Sequence, residues 1–226
     1  MLTNHNVFDM IMGRGFFSPL NSLHRVISSM DKIYLSIDLD YWICTNGNWR
    51  PPKGIPFLRK VFNLGVPLQV VLSHEELLKY INKSGANAII NIDYHSDLAD
   101  NDVDGVELNE GTWGNHVAFC GDQNASFIWI HPYPVCNSRN EGRCDEYENP
   151  FTKQCKRICG WTKTERKCGK LPSKSVLNKV VEVGISISPN WCEEDELQEY
   201  LDFLLGKEVS VKKTLKRLQG EILCRN

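Results

Sequence analysis

The sequence has no long hydrophobic run and no excess of positive charge. None of its apolar stretches reaches the roughly 20 residues that a membrane-spanning helix needs. The formal net charge is −2, so the chain lacks the basic field of a nucleic-acid-binding protein. It begins with MLTNHNVFDMIMGRGFF, which lacks the basic start and apolar block of a signal peptide. We therefore expect a cytoplasmic protein that binds neither membranes nor nucleic acid.

What is present is an ordinary globular composition. Of the 226 residues, 42% are hydrophobic and 24% are charged, which suffices for one sizeable core. We therefore predict a single domain over residues 1–226. Residues 132–173 are rich in Lys, Arg, Asn, Pro and Cys and poor in core residues, so we predict an irregular, Cys-rich insertion there.

The chain has nine cysteines, and five of them fall within this insertion. Their pattern is Cys136-x7-Cys144-x10-Cys155-x3-Cys159-x8-Cys168, which lacks the two close pairs that are typical of a zinc site. Three interpretations stay open. Cys144, Cys155, Cys159 and Cys168 hold a structural zinc ion, or the cysteines are free thiols in a reducing compartment, or they form disulfides after purification.

Strand-like and helix-like segments alternate along the chain. Five apolar, β-branched stretches are predicted strands, at 32–40, 67–73, 87–93, 126–131 and 180–188. Helical spacing of apolar residues predicts helices at 55–64, 74–84, 193–205 and 209–223. This alternation with short connections predicts an α/β fold, a three-layer α-β-α arrangement around a mostly parallel central sheet.

Ionisable side chains stand where three predicted strands end. The first strand ends in Asp38-Leu39-Asp40, the second runs into His74, and the third ends in Asp93-Tyr94-His95-Ser96-Asp97. The ends of parallel strands meet at one edge of a sheet, where open α/β sheets bind their ligands. Each motif alone is typical of a capped or solvated turn, but all three together predict one site.

The charge of this set indicates metal ions. Four carboxylates and two imidazoles in one buried crevice need cations to offset the negative charge. A set that is rich in carboxylate and holds some histidine suits Mn²⁺ better than Zn²⁺. Two such ions about 3.5–4 Å apart would share a bridging water and make it a hydroxide at neutral pH.

A Gly-rich stretch downstream offers groups for a substrate. It reads Glu110-Gly111-Thr112-Trp113-Gly114-Asn115-His116. A carboxylate and an aromatic face can bind a cationic group, which makes Glu110 and Trp113 candidate substrate-binding residues, with Asn115 beside them. His116 and Glu110 are candidates for proton transfer, and Glu75 for substrate binding. The alternatives are a structural Gly-rich turn and, for Glu75, an acid that complements a helix start.

These motifs resemble those of the ureohydrolases, the family of arginase and agmatinase. Ser36-Ile37-Asp38-Leu39-Asp40 is similar to their Ser-Phe-Asp-x-Asp motif, and Asp93-Tyr94-His95-Ser96-Asp97 to their Asp-Ala-His-x-Asp motif. An arginase-like group that includes peptide arginases is more similar still. It shares His74-Glu75-Glu76, the aromatic residue after Asp-Leu-Asp, and the late Ser188-Pro189. The resemblance covers roughly residues 33–120 and 180–205.

The resemblance implies an arginase/deacetylase-like fold and a binuclear manganese site. Asp93 and Asp38 would bridge the ions, His74 and Asp97 would hold one, and His95 and Asp40 the other. Asp97 would also move the proton of a bridging hydroxide that attacks a guanidinium carbon to give urea and an amine. The substrate would be a guanidino small molecule or an arginyl peptide. The order of the motifs differs from that of familiar ureohydrolases, since Asp-x-Asp comes first here and Tyr41-Trp42 follows it in place of Asp-Pro.

Two other functions remain as alternatives. A deacetylase-type amide hydrolase shares this fold but uses one zinc ion and fewer ligands. A non-catalytic binding protein would keep the fold and contact its partner through the Cys-rich insertion. The sequence predicts no particular oligomeric state.

Overall fold

Within the residues that the structure describes, the fold is built on a sheet of six parallel strands. The computed structural model describes residues 32–44, 51, 54–98, 107–132, 161, 163–206 and 216. Its strands are β1 (Ile33–Asp38), β2 (Leu68–Val71), β3 (Ala88–Ile92), β4 (Ser126–His131), β5 (Lys163–Cys168) and β6 (Val180–Ser186). They lie in the order β2-β6-β1-β3-β4-β5, and all five neighbouring pairs are parallel. The predicted α/β class with a parallel sheet is therefore confirmed.

The helices are short and follow the strands in sequence. They are α1 (Asp40–Ile43), α2 (Ile55–Phe62), α3 (Leu78–Ile81), α4 (Lys174–Leu177) and α5 (Glu194–Leu205). In the described part of the chain, two 3-10 turns accompany them, at His74–Leu77 and Trp113–His116. No helix in these described ranges is long and apolar enough to cross a membrane.

Alternation along the strands divides the core into two apolar layers. In β1, Ile33, Leu35 and Ile37 pack with apolar residues of α1, α2 and α5. Tyr34 points to the opposite layer, which contains Leu77 and Trp113. This period of two is what a strand buried on both faces imposes, and it explains why β1 and β3 are apolar almost throughout.

The sheet order creates a switch point between β1 and β3. The chain leaves β1 for β2 at one edge of the sheet, whereas it leaves β3 for β4 towards the other edge. Strands whose connections diverge in this way open a crevice at their carboxyl ends. Asp38 is the last residue of β1, and Asp93 directly follows β3, so both stand at this crevice.

The structure differs from the sequence-based prediction in the Cys-rich segment. Residues 132–173 were predicted to be irregular, but 163–168 form the edge strand β5, and Trp161 is buried. The strand sequence KTERKC is polar, as edge strands often are, so no apolar run marks it. Cys136, Cys144, Cys155 and Cys159 lie outside the described residues, as does almost all of the helix predicted at 209–223.

Candidate metal centre

Three carboxylates surround one nitrogen of a buried histidine. Nδ1 of His74 lies 3.2 Å from Oδ2 of Asp38, 3.0 Å from Oδ2 of Asp93 and 2.8 Å from Oδ2 of Asp97. The other ring nitrogen, Nε2, lies 2.6 Å from Oγ of Ser36. A hydrogen bond from Nε2–H to Ser36 leaves the lone pair of Nδ1 directed at the three carboxylates.

A second histidine and carboxylate pair lies beside the first group. Nδ1 of His95 is 2.9 Å from Oδ2 of Asp40 and 3.9 Å from Oδ1 of Asp93. The carboxylates are almost completely buried, whereas the His95 side chain is 43% exposed. The imidazole of His95 therefore stands at the mouth of the crevice, between the rings of Tyr94 and Trp191.

Asp93 belongs to both groups. Each of two sets, Asp38–His74–Asp93 and Asp40–Asp93–His95, has its ligand atoms within 4.8 Å of one another, so either set could hold a metal ion. Oδ2 of Asp93 faces His74, and Oδ1 faces His95. One carboxylate with an oxygen in each set is the arrangement that lets two cations share a ligand.

Backbone hydrogen bonds hold the carboxylates in place. The N–H of Asp40 donates to Oδ1 of Asp38 at 3.1 Å, and the N–H of His95 donates to Oδ1 of Asp93 at 2.7 Å. The N–H of Tyr94 donates to Oδ1 of Asp40 at 3.2 Å and so joins the two strand ends. The Asp-x-Asp and Asp-x-His spacings therefore form Asx-type turns that direct the remaining carboxylate oxygens into the crevice.

The sequence assigned no role at the site to three supporting residues, Ser36, Asn91 and Ser188. Besides Ser36, the amide of Asn91 donates to Oδ2 of Asp93 at 3.2 Å and of Asp97 at 3.4 Å. The hydroxyl of Ser188 donates to Oδ2 of Asp38 at 2.5 Å. Ser36 and Asn91 each precede a strand-end aspartate by two residues, so they share its face of the sheet. A polar residue two positions before a strand-end acid was the available signal.

Trp113 supports the site instead of facing a substrate. The sequence suggested an aromatic face for a guanidinium, but the side chain is fully buried. Its Nε1–H donates to Oδ2 of Asp97 at 2.6 Å, and its ring lies 4.7 Å from that of His74. Gly114 lets the backbone after Trp113 lie directly against Leu98 and Asp97, because a Cβ there would lie 2.6 Å from Leu98 Cδ2 and 3.1 Å from the carbonyl oxygen of Asp97.

Backbone conformation is unusual at two of the site residues. Within the described ranges, the non-glycine residues with positive φ are Asp97, at 57°, and Ser188, at 44°. This left-handed region is costly for most side chains and is tolerated best by aspartate and asparagine. Both residues hold their conformation through contacts at the crevice, which is where such strain concentrates in functional proteins.

The carboxylates repel one another strongly in the absence of cations. Burial, with the charges of Asp38 and Asp93, raises the pKa of Asp40 well above its usual value. Burial and the charge of Asp97 raise the pKa of Asp93 to about 8. These shifts mean that the crevice takes up protons when no other positive charge is present.

Burial lowers the pKa of the two histidines, but the neighbouring carboxylates raise it by more. Burial alone would lower the pKa of His74, but Asp97, Asp38 and Asp93 together raise it well above its usual value. Burial likewise opposes protonation of His95, yet the hydrogen bond to Asp40 and the nearby carboxylates raise its pKa to about 9. Even with both rings charged, four ionised carboxylates would leave the crevice with a net negative charge.

The donor set fits divalent cations. Around an octahedral ion with ligand bonds of about 2.1 Å, neighbouring ligand atoms lie roughly 3.0 Å apart, which agrees with the 2.8–3.2 Å separations around Nδ1 of His74. Among the described residues, the ion pairs of these carboxylates are with His74 and His95, and none is with a lysine or arginine. The excess negative charge therefore has no protein counter-charge in the described part of the chain.

The remaining candidate residues lie on two neighbouring segments. The hydroxyl of Ser73 donates to a carboxylate oxygen of Glu75 and lies 3.5 Å from Oε2 of Glu110, so both half-buried acids converge beside His74. Asn115 and His116 end the 3-10 turn that begins at Trp113. Nε2 of His116 is buried and has no hydrogen-bond partner among the described residues. The Cys-cluster zinc prediction falls on residues whose side chains the structure does not describe.

Comparison with known proteins gave no match. No protein-family model, no curated protein and no solved structure matches the chain. The likeness to ureohydrolases therefore rests on the motif residues themselves, and the chemistry of the site rests on the geometry given above.

We expect Trp113→Phe to weaken metal binding about 10–100-fold, because Asp97 loses the donor that orients its Oδ2. Trp161→Phe is the matched control. It removes an equally buried indole N–H, which donates to the carbonyl oxygen of Gly114 and touches no site carboxylate. Titration of both variants with Mn²⁺ by calorimetry measures the difference. Equal affinity in the two variants would show that the indole of Trp113 does not orient Asp97.

Proposed function

We propose that the protein is a binuclear metal-dependent hydrolase that cleaves a C–N bond of a guanidinium group. The observation that carries this proposal is that the two carboxylate oxygens of Asp93 each face a separate Asp/His set. A single catalytic ion would need one such set. Two sets that share a carboxylate favour two ions.

We assign Mn²⁺ to both positions. The six residues Asp38, Asp40, His74, Asp93, His95 and Asp97 offer mainly carboxylate oxygens with two imidazole nitrogens, and no described cysteine joins them. Zinc prefers four ligands that are richer in nitrogen and sulfur, whereas manganese accepts this harder set. The arginase/deacetylase-like fold suggested by the motifs is compatible with the parallel sheet and forms part of the proposal.

Two such ions would lower the pKa of a shared water and supply a nucleophile at neutral pH. The protein's own side chains would orient the reacting groups and move protons. Trp113 and Asn91 both donate to Oδ2 of Asp97, which leaves Oδ1 to accept the proton of the attacking water. His116, the last residue of the 3-10 turn that begins at Trp113, would donate a proton to the departing amine.

The acids beside His74 favour a cationic substrate. Glu75 and Glu110 converge on Ser73, one residue before His74, and both remain half-buried. Two carboxylates can accept several N–H donors of a planar guanidinium. Addition of water to the guanidinium carbon and cleavage of the C–N bond would yield urea and an amine. The substrate would be a guanidino small molecule or an arginyl peptide.

The test is a urea-release screen with Mn²⁺-loaded protein over arginine, agmatine and arginyl peptides. We expect urea from at least one class. Asp97→Asn should lower the rate about 10²–10⁴-fold, because its amide accepts no proton from the water. Asp202→Asn is the control, since Asp202 is exposed on α5 and hydrogen-bonds Gln198.

Two results would contradict the proposal. Release of acetate from an acetylated amine by protein that carries one zinc ion would favour the deacetylase alternative. Two bound ions with no turnover of any guanidino compound would favour a non-catalytic binding protein.

A further inference from the structure

Two buried cysteines face each other beside the candidate metal centre. Cys44 follows helix α1, and Cys192 precedes helix α5, and the two residues form an isolated antiparallel β-bridge. Both are buried and both are in the thiol form. They are 148 positions apart in the chain (192 − 44), so the fold alone brings them together.

The hydrogen bonds define the type of pair. The N–H of Glu193 donates to the carbonyl oxygen of Ile43 at 2.9 Å, and the N–H of Cys44 donates to the backbone carbonyl oxygen of Asp40. Cys44 and Cys192 therefore do not exchange hydrogen bonds, and they form a non-hydrogen-bonded pair. In such pairs the Cα atoms lie about 4.5 Å apart and the side chains approach closely. A disulfide requires Cα atoms roughly 4.4–6.8 Å apart, a range that includes the separation typical of such pairs.

Both cysteines are attached to segments that build the metal centre. Asp40 begins helix α1, and Cys44 directly follows that helix. On the other side, Ser188 donates to Asp38, and the thiol of Cys192 contacts the carbonyl oxygen of Ile187 at 3.4 Å. A covalent bond between the two sulfur atoms would join the segment that carries Asp38 and Asp40 to the segment that carries Ser188.

We propose that Cys44 and Cys192 form a reversible disulfide that clamps these two segments together. The oxidant is a small-molecule disulfide of the glutathione class. The proposal does not depend on the reaction that the metal centre performs.

The exchange balances in two steps. Both cysteines are buried, so the sulfur of Cys192, the less buried of the two, attacks the small-molecule disulfide when local opening exposes it and releases one small thiol. The sulfur of Cys44 then attacks the mixed disulfide at Cys192 and releases the second. Two electrons pass from the cysteines to the small-molecule disulfide, and the two thiol protons leave on the released thiols.

Peptide mapping tests the proposal directly. Native protein, and protein that has been reduced and refolded, are equilibrated in buffers of oxidised and reduced glutathione, alkylated and digested. Mass spectrometry should identify one peptide pair that joins Cys44 to Cys192, in either sample, and reduced buffer should separate it. The control Cys120→Ser should leave this linkage unchanged, whereas Cys44→Ser and Cys192→Ser should abolish it.

Thermal unfolding provides the second measurement. In oxidising buffer, wild-type protein should melt about 5–10 °C above the Cys44→Ser/Cys192→Ser double variant, because the disulfide closes a long loop. In reducing buffer the difference should largely disappear. Three results would each overturn the proposal. Both cysteines could be alkylated in both oxidised samples, Cys44 could be linked to a cysteine other than Cys192, or the Cys44–Cys192 linkage could form with no rise in Tm.

Discussion

Replacing Asp93 by asparagine is expected to remove both metal ions at once. Its two carboxylate oxygens face different Asp/His sets, so the amide weakens both. Asp40→Asn should instead weaken the set that contains His95 and leave the His74 set able to bind. We expect Asp93→Asn to lower the affinity of both positions more than about 100-fold, beyond the effect of losing a supporting residue.

Equilibrium dialysis against Mn²⁺ measures this difference as ions bound per chain. Asp202→Asn, on the exposed surface of α5, should bind as the wild type does. Circular dichroism establishes that each variant is folded. If Asp93→Asn kept one ion at wild-type affinity, Asp93 would serve a single set, and the shared-ligand arrangement would be incorrect.

Removing divalent cations should strongly destabilise the folded protein. Four carboxylates, each no more than 4% exposed, would then repel one another with two histidines as their described counter-charges. A cation present at 100 times its dissociation constant stabilises the folded state by about 2.7 kcal/mol. For a protein of this size, that corresponds to a rise in Tm of about 5–10 °C. Thermal unfolding with chelator, and again after addition of Mn²⁺, measures the effect.

The metal-free protein should also lose stability as pH rises. The pKa of Asp93 rises from 3.8 to about 8 on folding, and that of His95 from 6.5 to about 9. Both groups bind protons more tightly in the folded chain, so their contribution is complete at low pH and is lost as pH rises towards about 9. Stabilisation by Mn²⁺ should therefore grow between about pH 6 and pH 9, because fewer protons compete for the ligands. A Tm difference that shrinks over this range would contradict the electrostatic account.

The general position of the site could be predicted from sequence because strand ends are easy to recognise. The apolar runs of β1 and β3 stop at Asp38 and Asp93, and parallel strands bring such ends to one edge. The turn that carries His74 follows β2 by two residues, in a Ser-x-x-Glu capping box that marks a helical start. Local patterns therefore predicted the strands, their direction and the convergence of these side chains.

The supporting contacts could not be predicted because they join distant residues. Ser188 reaches Asp38 across 150 positions, and Cys44 meets Cys192 across a β-bridge that no local pattern encodes. Trp113 looked like a residue for substrate contact, since sequence does not reveal which side of a Gly-rich turn is buried. The polar edge strand β5 was missed because it carries no apolar alternation.

We propose that the crevice between β1 and β3 binds two metal ions. The metal content of wild-type protein, measured by mass spectrometry after dialysis against Mn²⁺ and removal of unbound metal, tests this. We expect near two manganese ions per chain. One ion or none, with the protein folded, would contradict it, and the converging carboxylates would then need a different explanation.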